Sequence, residues 1–408
     1  MKESSRRIKR IKWCLFLCTI AFLFNTQSVY SQIKLDKSAE ISLLTVYPKD
    51  KAVYAIFGHT AIRVKSESQN IDIVYNYGYF DSTKPNFIYH FIKGETDYVL
   101  GIEDFSFFIY KYATDESQVK EQVLQLTIEE KQTIFDHLNH NALPENKGYR
   151  YDYFFDNCTT RPRDIIEKII HGKIVYPELK EKTTLRDLVH ECTSPYPWLR
   201  FGIDLVIGSG ADSTIQMRTT MFLPLKLMQA LDESTVYKDT IVYSPVIKRH
   251  TLLSGEKGNI ETRNWANSLS PEVGAVVLFL LVSGITYWSY KKKRLLRGID
   301  MLLFSAAGIT GCIVAFICFI SIHPCTSSNY NVIWLHPFHL IAVLCFPINS
   351  LKKFINWYHL INFAVLSIFS ILWFVLPQEI PGAALVMAIC LWLRSGYNLL
   401  FIKDKKHC

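Results

Sequence analysis

Apolar residues gather in the second half of the chain. After Ser270 they form five runs, each long enough or nearly long enough to cross about 30 Å of hydrocarbon as a helix. We predict membrane spans at Pro271 to Tyr290, Ile299 to Ile322, Val332 to Asn349, Leu360 to Leu376 and Gly382 to Ile402. Between Gln32 and Ser270 the apolar stretches are shorter and mixed with polar residues, so a soluble unit is expected to precede a membrane unit.

The basic residues between the apolar runs predict their orientation. Lys and Arg cluster after the first, third and last runs, whereas the joints at 323–331 and 377–381 carry none. Because basic loops stay on the cytoplasmic side, the first run is expected to pass from outside to inside. The spans then occupy residues 271–402, residues 403–408 form a cytoplasmic tail, and residues 32–270 lie outside the cytoplasm.

The N-terminus has the pattern of a secretory signal. Five basic side chains lie within residues 6–12, and an apolar run from Trp13 to Phe24 follows. Val29 and Ser31 are small enough for the cleavage-site positions, so we predict a signal peptide over residues 1–31 with an uncleaved anchor as the alternative. Either arrangement agrees with the loop charges and predicts a multi-pass protein of the cell inner membrane with its soluble domain in the periplasm.

The soluble domain is predicted to be α+β. Strand patterns occur at Ile41 to Tyr47, Gly58 to Val64 and Ile71 to Tyr77. Helical periodicity begins after Thr127, where Glu130 completes a capping-box pattern, and a mixed α/β extension with short helices near 184–190 and 223–232 follows.

His59 is a candidate base. Strand alternation places it on the face opposite Thr60, Ile62 and Val64. If the next hairpin turns near residues 67–68, Asn76 lies opposite His59 and its amide could hold the imidazole in one tautomer. Asp72 is the alternative for that role.

Cys158 is a candidate nucleophile. It precedes a predicted helix with Thr159 or Thr160 as a possible cap, Pro162 in the first turn and an isoleucine stripe. The helix dipole, with Arg161 and Arg163 nearby, is expected to favour the thiolate. A disulfide with Cys192, the other cysteine of the soluble domain, is the structural alternative for an exported protein.

Other classes of site find less support. The net charge of +8 resides largely in the export signal and the membrane loops, which argues against nucleic-acid binding. The sequence contains no HExxH or CxxC spacing and no nucleotide-binding glycine-rich loop, so we predict no metal and no cofactor. The polar and aromatic outer loop 323–339 is either an interfacial belt or a lid or floor for a lipid-facing site.

Several strings together resemble one family. FGHTAIRV, VYNYGYF, YDYFFDNCTTRPRDIIE and the outer-loop string SSNYNVIWLHP are similar to the Lnb family of lipoprotein N-acyltransferases. The soluble part of that family resembles NlpC-type papain-like domains in permuted order, with the histidine before the cysteine. The resemblance covers nearly the whole chain and implies a permuted papain-like periplasmic domain followed by a five-helix transmembrane bundle.

The resemblance also implies roles. Cys158 would take an acyl chain from a phospholipid donor, His59 would act as the base, and the chain would pass to the N-terminal amine of a diacylglyceryl-cysteine lipoprotein. Asn76 remains our expectation for the orienting residue from strand pairing. The positions predicted to support the site or bind substrate are Asn157, Arg161, Arg163, Asp72, Tyr77, Asn329, Asn331 and Trp334.

Two other functions are compatible with the same residues. A papain-like fold also supports an NlpC-type cysteine peptidase or amidase acting on the cell wall. The chain could instead be a non-enzymatic membrane sensor or scaffold, which a Cys158–Cys192 disulfide would favour.

Overall fold

The computed structural model describes residues 33–255 and 269–404. The predicted signal peptide lies outside these residues, as do residues 405–408 of the predicted tail. The described chain is a mixed helix and sheet domain followed by apolar helices, so the prediction of an α+β domain preceding a helical membrane bundle is confirmed.

The centre of the soluble domain is an antiparallel sheet of seven strands in the order β10-β5-β1-β2-β3-β4-β6. A second sheet of three short strands has the order β7-β8-β9. The strands are β1 (Glu40–Val46), β2 (His59–Ser66), β3 (Ile71–Tyr79), β4 (Asp97–Asp104), β5 (Val119–Leu124), β6 (Gly148–Arg150), β7 (Lys173–Val175), β8 (Thr235–Lys238), β9 (Ile241–Tyr243) and β10 (Val246–Leu253).

Helices cover both faces of the large sheet. The helices of the soluble domain are α1 (Phe87–Lys93), α2 (Phe105–Thr114), α3 (Ile128–Asn141), α4 (Thr160–Ile169), α5 (Leu185–Thr193), α6 (Pro197–Val206), α7 (Met217–Thr220) and α8 (Pro224–Glu233). On one face Ile62, Val64 and Tyr75 pack with the isoleucines of α4 and the apolar side of α3. On the other, Ala61 and Val74 pack under Phe108 of α2. The face that carries His59 therefore packs against α2 at Ala61 and Val74, while His59 itself stays partly exposed at the start of β2.

The capping box predicted at the start of α3 is present. The Thr127 hydroxyl accepts from the Glu130 backbone N–H, and the Glu130 carboxylate accepts from the Thr127 backbone N–H. Each such pair satisfies N–H groups that a helix start leaves without partners. Thr184 and Asp187 do the same at the start of α5.

The β2–β3 hairpin has a register two residues away from the predicted one. Ile62 pairs with Tyr75, which places Asn76 beside Ala61 rather than opposite His59. Because a shift of two residues keeps every side chain on its own face, Asn76 still shares a face with His59.

Five apolar helices form the second half: α9 (Pro271–Lys291), α10 (Arg297–Phe319), α11 (Phe338–Cys345), α12 (Lys352–Leu372) and α13 (Gly382–Asp404). Four of these segments are long and apolar enough to cross a membrane. The predicted third span is not one continuous helix: a short turn at Tyr330–Ile333 precedes α11, and Pro337 separates the two. Proline lacks the N–H that a continuous helix would need at this point.

The outer ends of the membrane helices are joined to the soluble domain. Phe201 and Leu205 of α6 pack against the core of the bundle, and the Gly208 backbone N–H donates to the Cys325 carbonyl at 2.7 Å. The loop after α10 therefore faces the soluble domain, as the charge pattern predicted.

Arg394 of α13 is enclosed in the bundle. Its Nε donates to Oδ1 of Asp300 at 2.6 Å, and its Nη1 donates to the Thr286 hydroxyl at 3.0 Å. Both charged side chains are buried. Arg394 thus has the structural partner expected for a charge placed among membrane helices.

Candidate active site

Cys158 lies immediately before α4, held by the residue that precedes it. The Asn157 side-chain oxygen accepts from the backbone N–H groups of Thr159 and Thr160 at 2.7 and 2.9 Å. Its amide group donates to the carbonyls of Tyr153 and Phe222 at 2.8 and 3.0 Å. Thr159 or Thr160 was predicted to cap the helix, but the side-chain cap is supplied by Asn157. The Cys158 sulfur lies at the positive end of the helix dipole.

The sulfur meets β2 where the hairpin opens. The β2–β3 ladder ends at Ile62 and Tyr75, although β2 begins at His59 and β3 continues to Tyr79. In this opening the Thr60 backbone N–H donates to the Cys158 sulfur, and the Thr60 and Thr159 hydroxyls lie 3.3 Å apart. The opening lets a cysteine that belongs to one face of the sheet meet a histidine that belongs to the other.

His59 contacts both the thiol and an amide. Its side chain hydrogen-bonds to Cys158 and, through Nε2, to Oδ1 of Asn76 at 2.8 Å. An Nε2–H that donates to Asn76 leaves Nδ1 of the neutral ring able to accept the thiol proton. Cys158 and His59 are only half-buried, whereas Asn76 is buried. The pair is therefore accessible to a substrate.

Two residues that sequence reasoning missed support this arrangement. The Asn76 amide donates to Oε1 of Glu103 on β4 at 3.3 Å, which orients its oxygen towards the imidazole. A Cβ on Gly78 would lie 2.7 Å from Cε1 of His59, so only glycine leaves room for the ring. A glycine inside a strand pattern, here in the string YNYGYF, is the signal that could have found the second.

The electrostatics favour an ion pair. Burial alone would raise the pKa of Cys158, but the His59 imidazole, the Thr60 N–H and the Thr159 hydroxyl lower it below its usual value. Burial alone would lower the pKa of His59, but Cys158 and the Asn76 hydrogen bond raise it above its usual value. Opposite shifts of this kind stabilise a thiolate beside an imidazolium, which is the reactive form of a cysteine nucleophile.

The two arginines expected to assist the thiolate have other partners. Arg161 makes two hydrogen bonds with Asp156, at 2.6 and 2.8 Å, and lies 3.8 Å from the Tyr149 ring centroid. Arg163 is buried and donates to Asp164 and to the Arg218 carbonyl. Each positive charge is neutralised locally, so both residues hold the start of α4 in place rather than acting on the sulfur.

Asp72 and Tyr77 also lie in structural contacts. Asp72 makes two 2.7 Å hydrogen bonds with Arg63, which explains why it does not serve His59. Arg63 in turn reaches Glu121 at 3.0 Å. The Tyr77 hydroxyl accepts from Asn141 at 2.9 Å, and its carbonyl accepts from the Tyr149 hydroxyl at 2.6 Å.

Asn329, Asn331 and Trp334 form the joint between the two halves of the chain. Asn329 donates to the Leu205 carbonyl at 2.8 Å, and Asn331 donates to the Asp204 carbonyl at 3.2 Å. The Trp334 indole donates to the Asn331 side chain at 2.9 Å. All three are buried, so this part of the outer loop anchors α6 to the bundle.

Cys158 and Cys192 are both free thiols. Cys192 packs with the apolar side of α5, and burial raises its pKa to about 12. Within residues 33–255 and 269–404, no group of three or more His, Cys, Asp or Glu side chains is arranged to hold a metal ion. Of the two free thiols of the described soluble domain, Cys158 is therefore the one whose neighbours lower its pKa.

Comparison with known families places this geometry in context. Residues 25–191 match the Lnb N-terminal periplasmic domain, and residues 261–406 match the Lnb transmembrane domain. The chain belongs to the Lnb family. Neither a curated protein nor a solved structure matches it.

Membership of the Lnb family has direct consequences for the architecture. The chain is a membrane protein with a periplasmic domain, and both domains of the family are present. Cys158, His59 and Asn76 all lie within the match to the periplasmic domain. Lnb membership also suggests an acyltransferase.

Proposed function

We propose that this protein is an inner-membrane acyltransferase that acylates the N-terminus of lipoproteins. Cys158 is the nucleophile, His59 the general acid and base, and Asn76 the orienting residue. The acyl donor is a phospholipid, and the acceptor is the α-amine of a diacylglyceryl-cysteine lipoprotein. The observation that carries the proposal is the half-buried Cys158–His59 pair with opposite pKa shifts, joined through α6 to a membrane bundle.

The first half-reaction breaks an ester. The Cys158 thiolate attacks the ester carbonyl, a carbon–sulfur bond forms, and the carbon–oxygen bond to the glycerol breaks. The His59 imidazolium gives its proton to the leaving oxygen, which departs as a lysophospholipid. The helix dipole at the start of α4 stabilises the negative charge on the tetrahedral oxygen.

The second half-reaction forms an amide. The uncharged amine of the lipoprotein attacks the thioester, a carbon–nitrogen bond forms, and the carbon–sulfur bond breaks. His59, now neutral, takes the proton that the amine loses, so the thiolate and the imidazolium are both restored. Water must be kept from the thioester in between, since hydrolysis would turn the enzyme into a lipase.

The membrane setting supports this substrate class. Moving a chain of about 15 methylenes into water would cost on the order of 12 kcal/mol, at about 0.8 kcal/mol for each methylene. A peptidase acting on the cell wall has no such barrier to avoid. An enzyme that handles acyl chains gains from a catalytic domain fixed against the bilayer, which the contacts of α6 with the bundle provide.

The test is the N-terminus of one native lipoprotein, examined by mass spectrometry in cells that lack any second N-acyltransferase. Cys158→Ser is expected to leave the lipoprotein diacylated with a free amine. Cys192→Ser is the matched control, because Cys192 is the other free thiol of the soluble domain, and is expected to leave N-acylation intact. Unchanged N-acylation in Cys158→Ser cells would overturn the proposal.

A further inference from the structure

The helix α1 is apolar but exposed. Its sequence is FIYHFIK, and none of its seven residues is buried. Ile88 is 72% exposed, Tyr89 49% and Phe91 46%. A short helix that presents this much apolar surface to water would be unfavourable, so a partner for that surface is expected.

The position of α1 indicates what the partner is. The Ile322 backbone N–H, just beyond the outer end of α10, donates to the Lys93 carbonyl at 2.9 Å, and His323 hydrogen-bonds through Nε2 to the Phe91 carbonyl at 2.7 Å. The Tyr89 ring lies 6.0 Å from Phe316, inside the membrane span. The helix α1 is therefore held beside the outer end of a membrane-spanning helix.

A series of aromatic rings leads from α1 towards the thiol. We call Phe91, Phe87, Phe80, Tyr98 and Tyr151 the aromatic track. The successive ring centroids are 6.1, 5.7, 5.0 and 4.1 Å apart. Tyr98, Tyr151 and Cys158 all pack against the hydrophobic core on one face of the large sheet, so the inner end of the track lies in the same part of the domain as the sulfur.

We propose that α1 inserts into the outer leaflet of the membrane and that the aromatic track guides an acyl chain of a phospholipid from the leaflet to Cys158. This inference rests on the proposed acyl-transfer function and adds the path of the substrate. The track starts beside the outer end of α10 and leads to the core against which Cys158 packs, so its apolar surface lies on the path that a lipid chain would take. Side chains with one apolar and one polar end, such as Tyr89, suit the boundary between lipid and water.

The first experiment locates the lipid directly. The full chain is placed in phospholipid vesicles in which one acyl chain carries a diazirine, and adducts are mapped after irradiation. Adducts within residues 80–93, together with adducts on the membrane helices, are expected. Adducts confined to residues 271–404 would overturn the inference, and this readout does not depend on catalysis.

The second experiment compares two exposed isoleucines. Ile88→Asp places a charge on α1, and Ile241→Asp places the same charge on β9, where Ile241 is 61% exposed. The rate of acyl-enzyme formation at Cys158 is measured with a long-chain phospholipid and with a water-soluble short-chain ester. Ile88→Asp is expected to lower the ratio of the long-chain rate to the short-chain rate about tenfold. A tenfold change corresponds to roughly half the free energy of transferring one isoleucine side chain from water to an apolar environment.

The outcomes separate the two proposals. If the wild-type protein forms no acyl-enzyme from phospholipid, the acyl-transfer function fails, whatever the variants do. If the wild type reacts and the two variants have the same chain-length ratio, the function stands and the role of α1 and the aromatic track is overturned. A lower ratio in Ile88→Asp alone supports the track.

Discussion

Two clusters of ionisable side chains, one in each half of the chain, differ in how far they are exposed to solvent. Around Cys158 and His59 the charged partners are half-buried and meet at an opening in the sheet. Around Arg394 and Asp300 the charges are completely enclosed and neutralise each other. An accessible pair can change its proton count when a substrate arrives, whereas an enclosed pair resists any change because each charge needs the other. The comparison predicts that mutations in the first cluster change rates and mutations in the second change stability.

The largest effect is expected for His59→Ala. Removing the base should raise the pKa of Cys158, because the imidazole is the strongest group that lowers it. We expect the rate of acyl transfer to fall by about 10³-fold with little change in melting temperature. The rate of alkylation of Cys158 by iodoacetamide at neutral pH provides a second readout. An alkylation rate equal to that of wild type would contradict the ion-pair interpretation.

Asp300→Ala sharpens the comparison from the other side. It leaves the Arg394 charge buried without its carboxylate, which should destabilise the protein by about 3 kcal/mol or more. Thermal unfolding in detergent measures the loss, and activity per folded molecule should remain. The double variant Asp300→Leu with Arg394→Met removes both charges and should recover much of the stability. Equal destabilisation in the single and double variants would show that the ion pair is not the cause.

Gly78→Ala tests whether space beside the imidazole is required. The added Cβ would meet Cε1 of His59 at 2.7 Å and Oδ1 of Asn76 at 3.0 Å, so the ring must move. Displacing a catalytic group by about 1 Å can cost on the order of 10²-fold in rate. Gly148→Ala on β6 is the matched control, because nothing lies within 4 Å of the Cβ it would add. Similar kcat values for the two alanine variants would rule out this steric role.

The sequence predicted the parts of the site that depend on local pattern. The β2 and β3 strands, the helix after Cys158 and the outer position of the soluble domain all follow from periodicity, helix signals and loop charge. Asn76 was predicted on the correct face of the sheet although the predicted β2–β3 register was wrong. An error of two residues in register leaves each side chain on the same face of its strand.

Other features could not be predicted because they depend on tertiary contacts. Glu103 contacts Asn76 from a neighbouring strand, and no local sequence pattern indicates that contact. Arg161 and Arg163 looked like partners of the thiolate in sequence, yet carboxylates close to them in the chain neutralise both. Pro337, where the third span breaks, is visible in the sequence. The apolar run around it was nevertheless long enough to be predicted as one continuous span.

Asn76→Ala has a smaller expected effect, about tenfold in rate, because it removes one hydrogen bond to a charged ring. Its signature is the pH profile. Activity should rise with pH as Cys158 ionises and fall as His59 loses its proton, so the high-pH limb reports the pKa of His59. The Asn76 hydrogen bond raises that pKa, whereas burial and Lys111 lower it. Losing Asn76 should therefore move the high-pH limb to lower pH and leave the low-pH limb, which is set mainly by Cys158, nearly in place.

Glu103→Ala should shift the high-pH limb in the same direction as Asn76→Ala but by less, since Glu103 acts only by orienting Asn76. A shift of the low-pH limb alone would show that Asn76 acts on the thiol rather than on the imidazole.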